Sequence, residues 1–449
     1  MATSSTGKPM VERDFDYASL KGLTVLRGWD DIAFVLKSPD FIQLKGDLPV
    51  IGRPFNKGSL LSLNGHEHLA RRRLYSPLFS NESLSYLYHH AARPVIVEAL
   101  LRVHEQAKDV SSLPSADLAQ LVPSMLYRVS AKVAGVDDVE TEDQIKDFRA
   151  VLGRYAKGVS LEFFEDPESF VDEALAGKAE LAERFLKPAV ARRAEMVKAF
   201  HEGRLEKADL NRDLITLWLL DDEDLLHGRS AAKEEDLLVE FALFLYTASG
   251  TTQRLLPHVI QSISDWIAAH PEDADKTTDS AFLRGAIAET LRHHGLPAML
   301  RRAVTDVELP SGTRLSPSEL VALDYVDANK DPKVFGDDAG DWNPHRIERN
   351  IKGHPWGMSF GGGAHMCIGR RLVTGGDWRK GTTASDRDID GTVVAIVRAL
   401  FEAGVRPDVE GESVSHGQAQ LSQFDEYVVY PVVFDRLGEF AASVAKSDA

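Results

Sequence analysis

The 449-residue chain has a single cysteine, Cys367. No intrachain disulfide can form, and zinc sites built on two or four cysteines are excluded. A thiol without a partner suits a reducing compartment. Positive charge is also scarce: 52 Lys and Arg stand against 69 Asp and Glu, a formal net charge of −17. That balance argues against a general affinity for nucleic acid or an anionic membrane surface. Long apolar runs are missing too. The most apolar segment, Phe241–Ala248, is far shorter than the ~18 residues a membrane-spanning helix needs. The opening MATSSTGKPMVERDFDY lacks the apolar core of a secretory signal. There is no repeat of roughly 20–50 residues and no low-complexity linker. The expectation is a soluble, cytoplasmic protein that binds neither nucleic acid nor membrane.

What is present is a globular composition, 43% hydrophobic, and mostly helical periodicity. Leu23–Leu26 predicts a short strand and Asp30–Leu36 a helix. Residues 38–61, containing LKGDLPVIGRPFNKG, form an irregular stretch too long for a plain connector. Helical spacing dominates from about Glu67 to Leu226, with Pro188 dividing the amphipathic run Ser169–Glu202. One long helix is predicted over Glu234–Ala269 and a shorter one over Ser280–His293. Strands are predicted at Arg302–Leu309 and Leu320–Tyr325, joined by the turn-rich PSGTRLSPSE. A helix at Thr392–Ala403 and a strand at Glu426–Val433 close the pattern. The fold class is mainly α with a small β portion. The expected organisation is one domain over 1–449, with 1–12 and 442–449 loose and 374–391 an inserted loop.

The stretch SFGGGAHMCIGRRL, Ser359–Leu372, carries the cysteine. A free cysteine is most often a small buried hydrophobe. Here glycines at 361, 362, 363 and 369 let backbone approach closely and leave amides free to bond a thiolate. A metal ligand and a nucleophile using His365 as base both remain open. Glu289-Thr-Leu-Arg292 alone reads as a helical i,i+3 ion pair worth about 0.3 kcal/mol. The arginine run in NGHEHLARRRLYSPLFS, Asn64–Ser80, alone reads as a solvated helix face. The centre of the long helix, Thr247-Ala-Ser-Gly-Thr-Thr252, is a weak-helix polar patch that plain packing does not account for.

Phe360, Gly361, Gly363, His365, Cys367, Gly369 and Leu372 together resemble the haem-binding loop of the cytochromes P-450, F-G-x-G-x-H-x-C-x-G-x-x-L-A, with Val373 in place of the last alanine. The resemblance implies the cytochrome P-450 fold, with haem b between the long helix and the cysteine loop, and Cys367 as the iron's thiolate ligand. It implies that His68, Arg72, Arg301 and His365 bind the haem propionates, and that Glu289, Arg292 and Arg346 form a structural charge cluster. ANKDPKVF, Ala328–Phe335, resembles the family segment preceding that arginine.

The long-helix patch resembles the family's A-G-x-[D/E]-T-T. Thr251 falls on the threonine that hydrogen-bonds dioxygen and guides its protonation, with Ser249 and Thr252 beside it. The usual acid is Gly250, so the proton relay is incomplete unless Ser249, water or substrate supplies the proton. Leu243, Tyr246, Thr247, Pro297 and Ala298 would line the substrate site, as would Leu48, Ile51 and Phe55 by position, which suggests an apolar small molecule.

The implied activity is a soluble bacterial-type monooxygenase inserting one oxygen atom of O₂. Its electrons would come from NAD(P)H through a ferredoxin or flavodoxin plus a reductase. Gly250 keeps open a peroxide-using or non-hydroxylating enzyme of coupling or isomerising type, and a non-catalytic haem sensor or carrier is a minor alternative. In the inserted loop, Arg379 and Lys380 could meet an acidic partner.

Overall fold

The computed structural model describes residues 23–43, 52–108, 112–159, 161, 166–295, 299–349, 351–376, 389–416 and 426–447. Helices dominate, and the longest runs over Ala231–Ala269, 39 residues. Its start is capped by Ser230, whose hydroxyl accepts from the Lys233 amide, as the helix-start chemistry requires. Pro257 lies inside it. The helix survives this because it is packed on both sides. Leu237–Leu243 and Leu255–Ile260 are buried; Leu237, Leu238, Phe241 and Ala242 belong to one large apolar cluster and Leu255, Leu256, Val259 and Ile260 to another. Tertiary burial outweighs local propensity here.

A four-stranded sheet orders its strands Thr24–Leu26, Leu320–Leu323, Met299–Ala303 and Phe41–Gln43. The first pair is parallel and the other two are antiparallel. The strand expected over Arg302–Leu309 is split. Met299–Ala303 joins this sheet, whereas Val307–Glu308 makes its own small hairpin with Arg314–Leu315. Likewise, Glu426–Val433 is two strands: Glu426–Val429 pairs with Val414–His416, and Pro431–Phe434 pairs with Ser115–Asp117 and Val405–Pro407. The break falls at Tyr430, whose amide donates to the Asp117 side chain at 2.8 Å, and Pro431 opens the second strand.

The C-terminus corrects another expectation. Residues 442–447, expected to be loose, continue the helix Leu437–Ser447. Leu437, Phe440 and Val444 are buried in the same core as Leu256 and Leu400. Their i, i+3, i+7 spacing is the signal that was available. Residues 1–12 lie outside the described residues.

After the cysteine loop, the helix Arg370–Thr374 stops at Gly375, whose φ is +83°. The Gly376 amide then donates to the Ile389 carbonyl at 2.7 Å, and a helix resumes over Thr392–Glu402. The two ends of the expected insertion are thus pinned together. Asp390 anchors them through Arg284 (2.9 Å) and Arg398. Residues 377–388, with Arg379 and Lys380, lie outside the described residues. Among the described residues, no helix is long and apolar enough to cross a membrane.

Candidate active site

The Cys367 loop starts from a rigid platform. Glu289, in the helix Ser280–His293, accepts from Arg292 Nε (2.8 Å) and Nη2 (2.6 Å) and from Arg346 Nε (2.9 Å). The Asn343 amide adds a 3.1 Å bond. The spare donors of both arginines go to the carbonyls of Asn329, Ala339, Phe335, Asp338 and Asp341. Arg292 and Arg346 are nearly inaccessible, so the charges are buried but fully served, the condition under which such a cluster is tolerated. The three residues singled out in the sequence therefore do converge.

Two participants lay outside that reading. Asp338 pairs with Arg346 at 2.9 Å. Asn329 receives the Met358 amide at 2.7 Å and donates to Ser359 Oγ and the Arg292 carbonyl. Ser359 in turn donates to the Leu291 carbonyl at 2.6 Å. Asn329 is thus the tie between the charge cluster and the first residues of the cysteine loop. Its place in ANKDPKVF was the available signal.

Within the loop, Gly361 and Gly363 adopt φ of +67° and +60°. A Cβ at Gly363 would overlap the Leu36 carbonyl oxygen, so glycine is required there. The Cys367 amide donates to the Phe360 carbonyl at 2.8 Å, which closes the turn that presents the thiol. The Cys367 side chain is accessible. Burial pushes the thiol up, while the amides of Gly369 and Arg370 and the charges of Arg72 and Arg370 favour the thiolate.

The helix Gly65–Tyr75 brings His68 and Arg72 to this loop. His68 stacks on His365 with ring centroids 3.8 Å apart, and Arg72 donates to the Met366 carbonyl at 2.7 Å. Arg301, on the strand Met299–Ala303, acts electrostatically on His365 together with Arg72 and His68. All four residues expected to share one anionic partner are therefore neighbours. Burial first, and then these cationic neighbours, lower His68 to about 4 and His365 to about 3.

The cluster has no carboxylate of its own among the described residues. Arg301 is 5% exposed, and among the described residues its side chain donates to the Leu300 carbonyl. His68 Nδ1 and the Tyr325 hydroxyl are buried without hydrogen-bond partners among the described residues, the latter about 4.0 Å from where a Gly361 Cβ would lie. Tyr325 is a further member that the sequence reading missed. Arg73 is exposed.

The polar centre of the long helix forms a window. Tyr246–Ala248 and Gly250–Arg254 are half-buried, with fully buried segments on either side. Phe244 and Tyr246 pack against the same apolar cluster as Ile368 and Leu372 of the cysteine loop. Thr251 donates to the Thr247 carbonyl (2.9 Å) and Thr247 to that of Leu243 (2.8 Å).

Ser249 departs from the expected role. It is 0% exposed and donates to the Leu245 carbonyl at 2.6 Å, so its hydroxyl is turned into helix packing away from the window. The helical phase explains this, since residue 249 lies about 160° around the axis from residue 251. Thr252 is half-buried. Leu243 is 3% exposed and serves as core. Phe55 is also not a lining residue: it is fully buried in contact with Gly158 and Tyr155. Leu48, Ile51, Pro297 and Ala298 lie outside the described residues.

Comparison with known proteins agrees with this geometry. The family model described as Cytochrome P450 matches residues 17–374. The chain is 30% identical to a steroid C26-monooxygenase of Mycolicibacterium smegmatis over 141 residues, 31% of this chain and 32% of that protein. It is 23% identical to the pulcherriminic acid synthase of Bacillus subtilis over 352 residues, 76% of each chain. The matched segment thus spans about a third of the first relative and about three quarters of the second. Among solved structures, cytochrome P450 260B1 of Sorangium cellulosum So Ce56 shares the fold with a TM-score of 0.65 at 18% identity, covering 94% of this chain and 92% of that one. The match over most of the chain, the mainly helical fold and the loop around Cys367 have one common account: the chain belongs to the cytochrome P450 family.

Proposed function

We propose that the chain is a haem-thiolate monooxygenase that inserts one atom of O₂ into an apolar small molecule. The observation that carries this reading is the cluster of the Arg301 and Arg72 guanidiniums with the neutral imidazoles of His68 and His365, which lacks a carboxylate among the described residues and lies beside an accessible Cys367. The donor set fits haem. Buried Arg301, the unpartnered His68 Nδ1 and the Tyr325 hydroxyl are what two buried propionates require, and Cys367 supplies a single sulfur ligand. Haem, when bound, supplies the iron that activates oxygen. The monooxygenase names of relatives support the reaction class. The C-terminal helices share the core of residues 92–291, which supports reading the chain as one domain. Electrons would come from NAD(P)H through a ferredoxin or flavodoxin and a reductase, and the absence of a spanning helix among the described residues is compatible with a cytoplasmic location.

The chain's own groups then act as follows. Cys367 would hold the iron as its thiolate, the form that the Gly369 and Arg370 amides and the charge of Arg72 favour. The propionate cluster orients the cofactor, and the charge cluster behind Asn329 keeps the loop from yielding. In the window, the Thr251 hydroxyl can turn from the Thr247 carbonyl to donate its proton to an oxygen placed there. Nothing at Gly250 recharges it, and buried Ser249 faces elsewhere, so water or substrate must return the proton. Apolar Phe244 and Tyr246 flank the site and favour an apolar substrate.

Two measurements test this. The reduced, carbon-monoxide-bound protein is expected to show the strongly red-shifted Soret band of thiolate ligation, and Cys367→Ser to abolish it. A protein that takes up no haem sinks the reading. Gly250→Asp is expected to raise O₂-coupled turnover by about 100-fold, the lower end of what a positioned general acid contributes. A second reading, peroxide-driven turnover, is favoured by Gly250 itself. It prevails if hydrogen peroxide supports faster product formation than the reductase system and Gly250→Asp changes neither rate.

A further inference from the structure

The helix Gly65–Tyr75 turns an unusual face inward. His68, Arg71, Arg72 and Tyr75, at i, i+3, i+4 and i+7, form one stripe, and all four are polar or amphipathic. Of the whole helix only His68 and Tyr75 are buried, and Leu69 is 43% exposed. So little apolar burial does not by itself set a helix's rotation about its axis.

The polar contacts divide the stripe in two. His68 and Arg72 address the cysteine loop through His365 and the Met366 carbonyl. Arg71 and Tyr75 address the opposite side. Arg71 Nη1 donates to Glu240 Oε1 at 3.0 Å and to the Gly58 carbonyl at 3.3 Å. Its guanidinium lies 4.4 Å over the Trp218 ring, and the Trp218 indole donates to the Tyr75 hydroxyl at 3.1 Å. Glu240 sits on the long helix and is 0% exposed; the Tyr75 hydroxyl and the Leu60 amide also favour its charged form, and its Oε2 has no hydrogen-bond partner among the described residues. It lies eleven residues, about 16 Å along the axis, before Thr251, so it does not touch the reacting centre.

We propose that Glu240 is a positioning residue: through Arg71 it fixes the rotation of the helix Gly65–Tyr75, so that His68 and Arg72 meet the haem propionates. This rests on the haem-thiolate reading above. A buried ion pair with an unserved carboxylate oxygen adds less stability than a well-packed apolar pair would. Its value lies in direction. Arg71 and Arg72 project about 100° apart, so anchoring the first aims the second.

The test compares Glu240→Gln and the double variant Glu240→Leu/Arg71→Met with wild type in two measurements, the first on the haem-loaded protein and the second after haem removal. These are the rate of haem transfer to excess apomyoglobin and the midpoint of urea unfolding of the haem-free form. Both variants are expected to lose haem about 10-fold faster or more, as loss of a residue supporting a ligand typically costs. The double variant is expected to unfold at or above the wild-type midpoint. A purely structural role predicts that the double variant recovers haem retention along with stability, and that result overturns the proposal, as does wild-type haem retention in Glu240→Gln. A wild-type protein that takes up no haem fails in a distinguishable way, since it removes the cofactor reading itself.

Discussion

Replacing Glu289 by alanine is expected to lower the free energy of unfolding by about 3–5 kcal/mol, the cost of removing one partner from a buried ion cluster. Arg292 would keep its charge in the core with carbonyls to receive it, and Arg346 would be left with carbonyls and the half-buried Asp338. Chemical denaturation of the haem-free protein measures the loss, and a change under about 1 kcal/mol would place Glu289 among ordinary substitutions.

The same carboxylate sets an acid limit. Burial alone would raise its pKa, but hydrogen bonds from Arg292, His293 and Arg346 overcome that and hold it at about 2 against an ordinary 4.5. A depressed folded-state value means that the contribution is complete above 4.5 and is lost as pH falls toward about 2. Glu289→Gln should therefore flatten the fall of stability across that window while costing stability at neutral pH.

The second large effect is expected at Gly285, one turn before Glu289. Alanine is normally better than glycine inside a helix by about 1 kcal/mol. Here its Cβ would overlap the Pro344 carbonyl oxygen and lie 3.2 Å from Ile347 Cγ2. The obstacle is backbone, so relief requires moving the turn Pro344–Glu348, which carries Arg346. We expect Gly285→Ala to destabilise by about 2 kcal/mol net, overpacking outweighing propensity. Because the displaced group is Glu289's partner, Gly285→Ala and Glu289→Ala should be non-additive by about 0.5–3 kcal/mol. Additive losses would show that the turn adjusts without disturbing Arg346, and a neutral Gly285→Ala would show that it moves freely.

The long helix, the Ser280–His293 helix and the cysteine loop were legible in the chain because their signals are local. Periodicity, capping residues and a dense run of glycines around one cysteine need no knowledge of distant partners. The C-terminal helix was missed although Leu437, Phe440 and Val444 carry its period, because a short weakly helical segment declares itself only against the core it covers. Ser249 was misjudged for a similar reason. A serine beside a threonine is an equal candidate in one dimension, and only helical phase turns one hydroxyl into packing and leaves the other at the window.

By itself the sequence determined that this is a mainly helical protein with one available thiolate, a set of cations separated by hundreds of positions, and no acid at Gly250. Only the tertiary structure decided that Arg301, Arg72, His68 and His365 lie together with no carboxylate among the described residues, and that Asn329 ties the loop to the charge cluster. It alone put Glu240 behind Arg71, 169 residues apart. Long-range electrostatic partners leave no periodic trace along the chain. Which charges end up paired is settled by which apolar faces pack, and the ions then occupy the junctions that packing leaves.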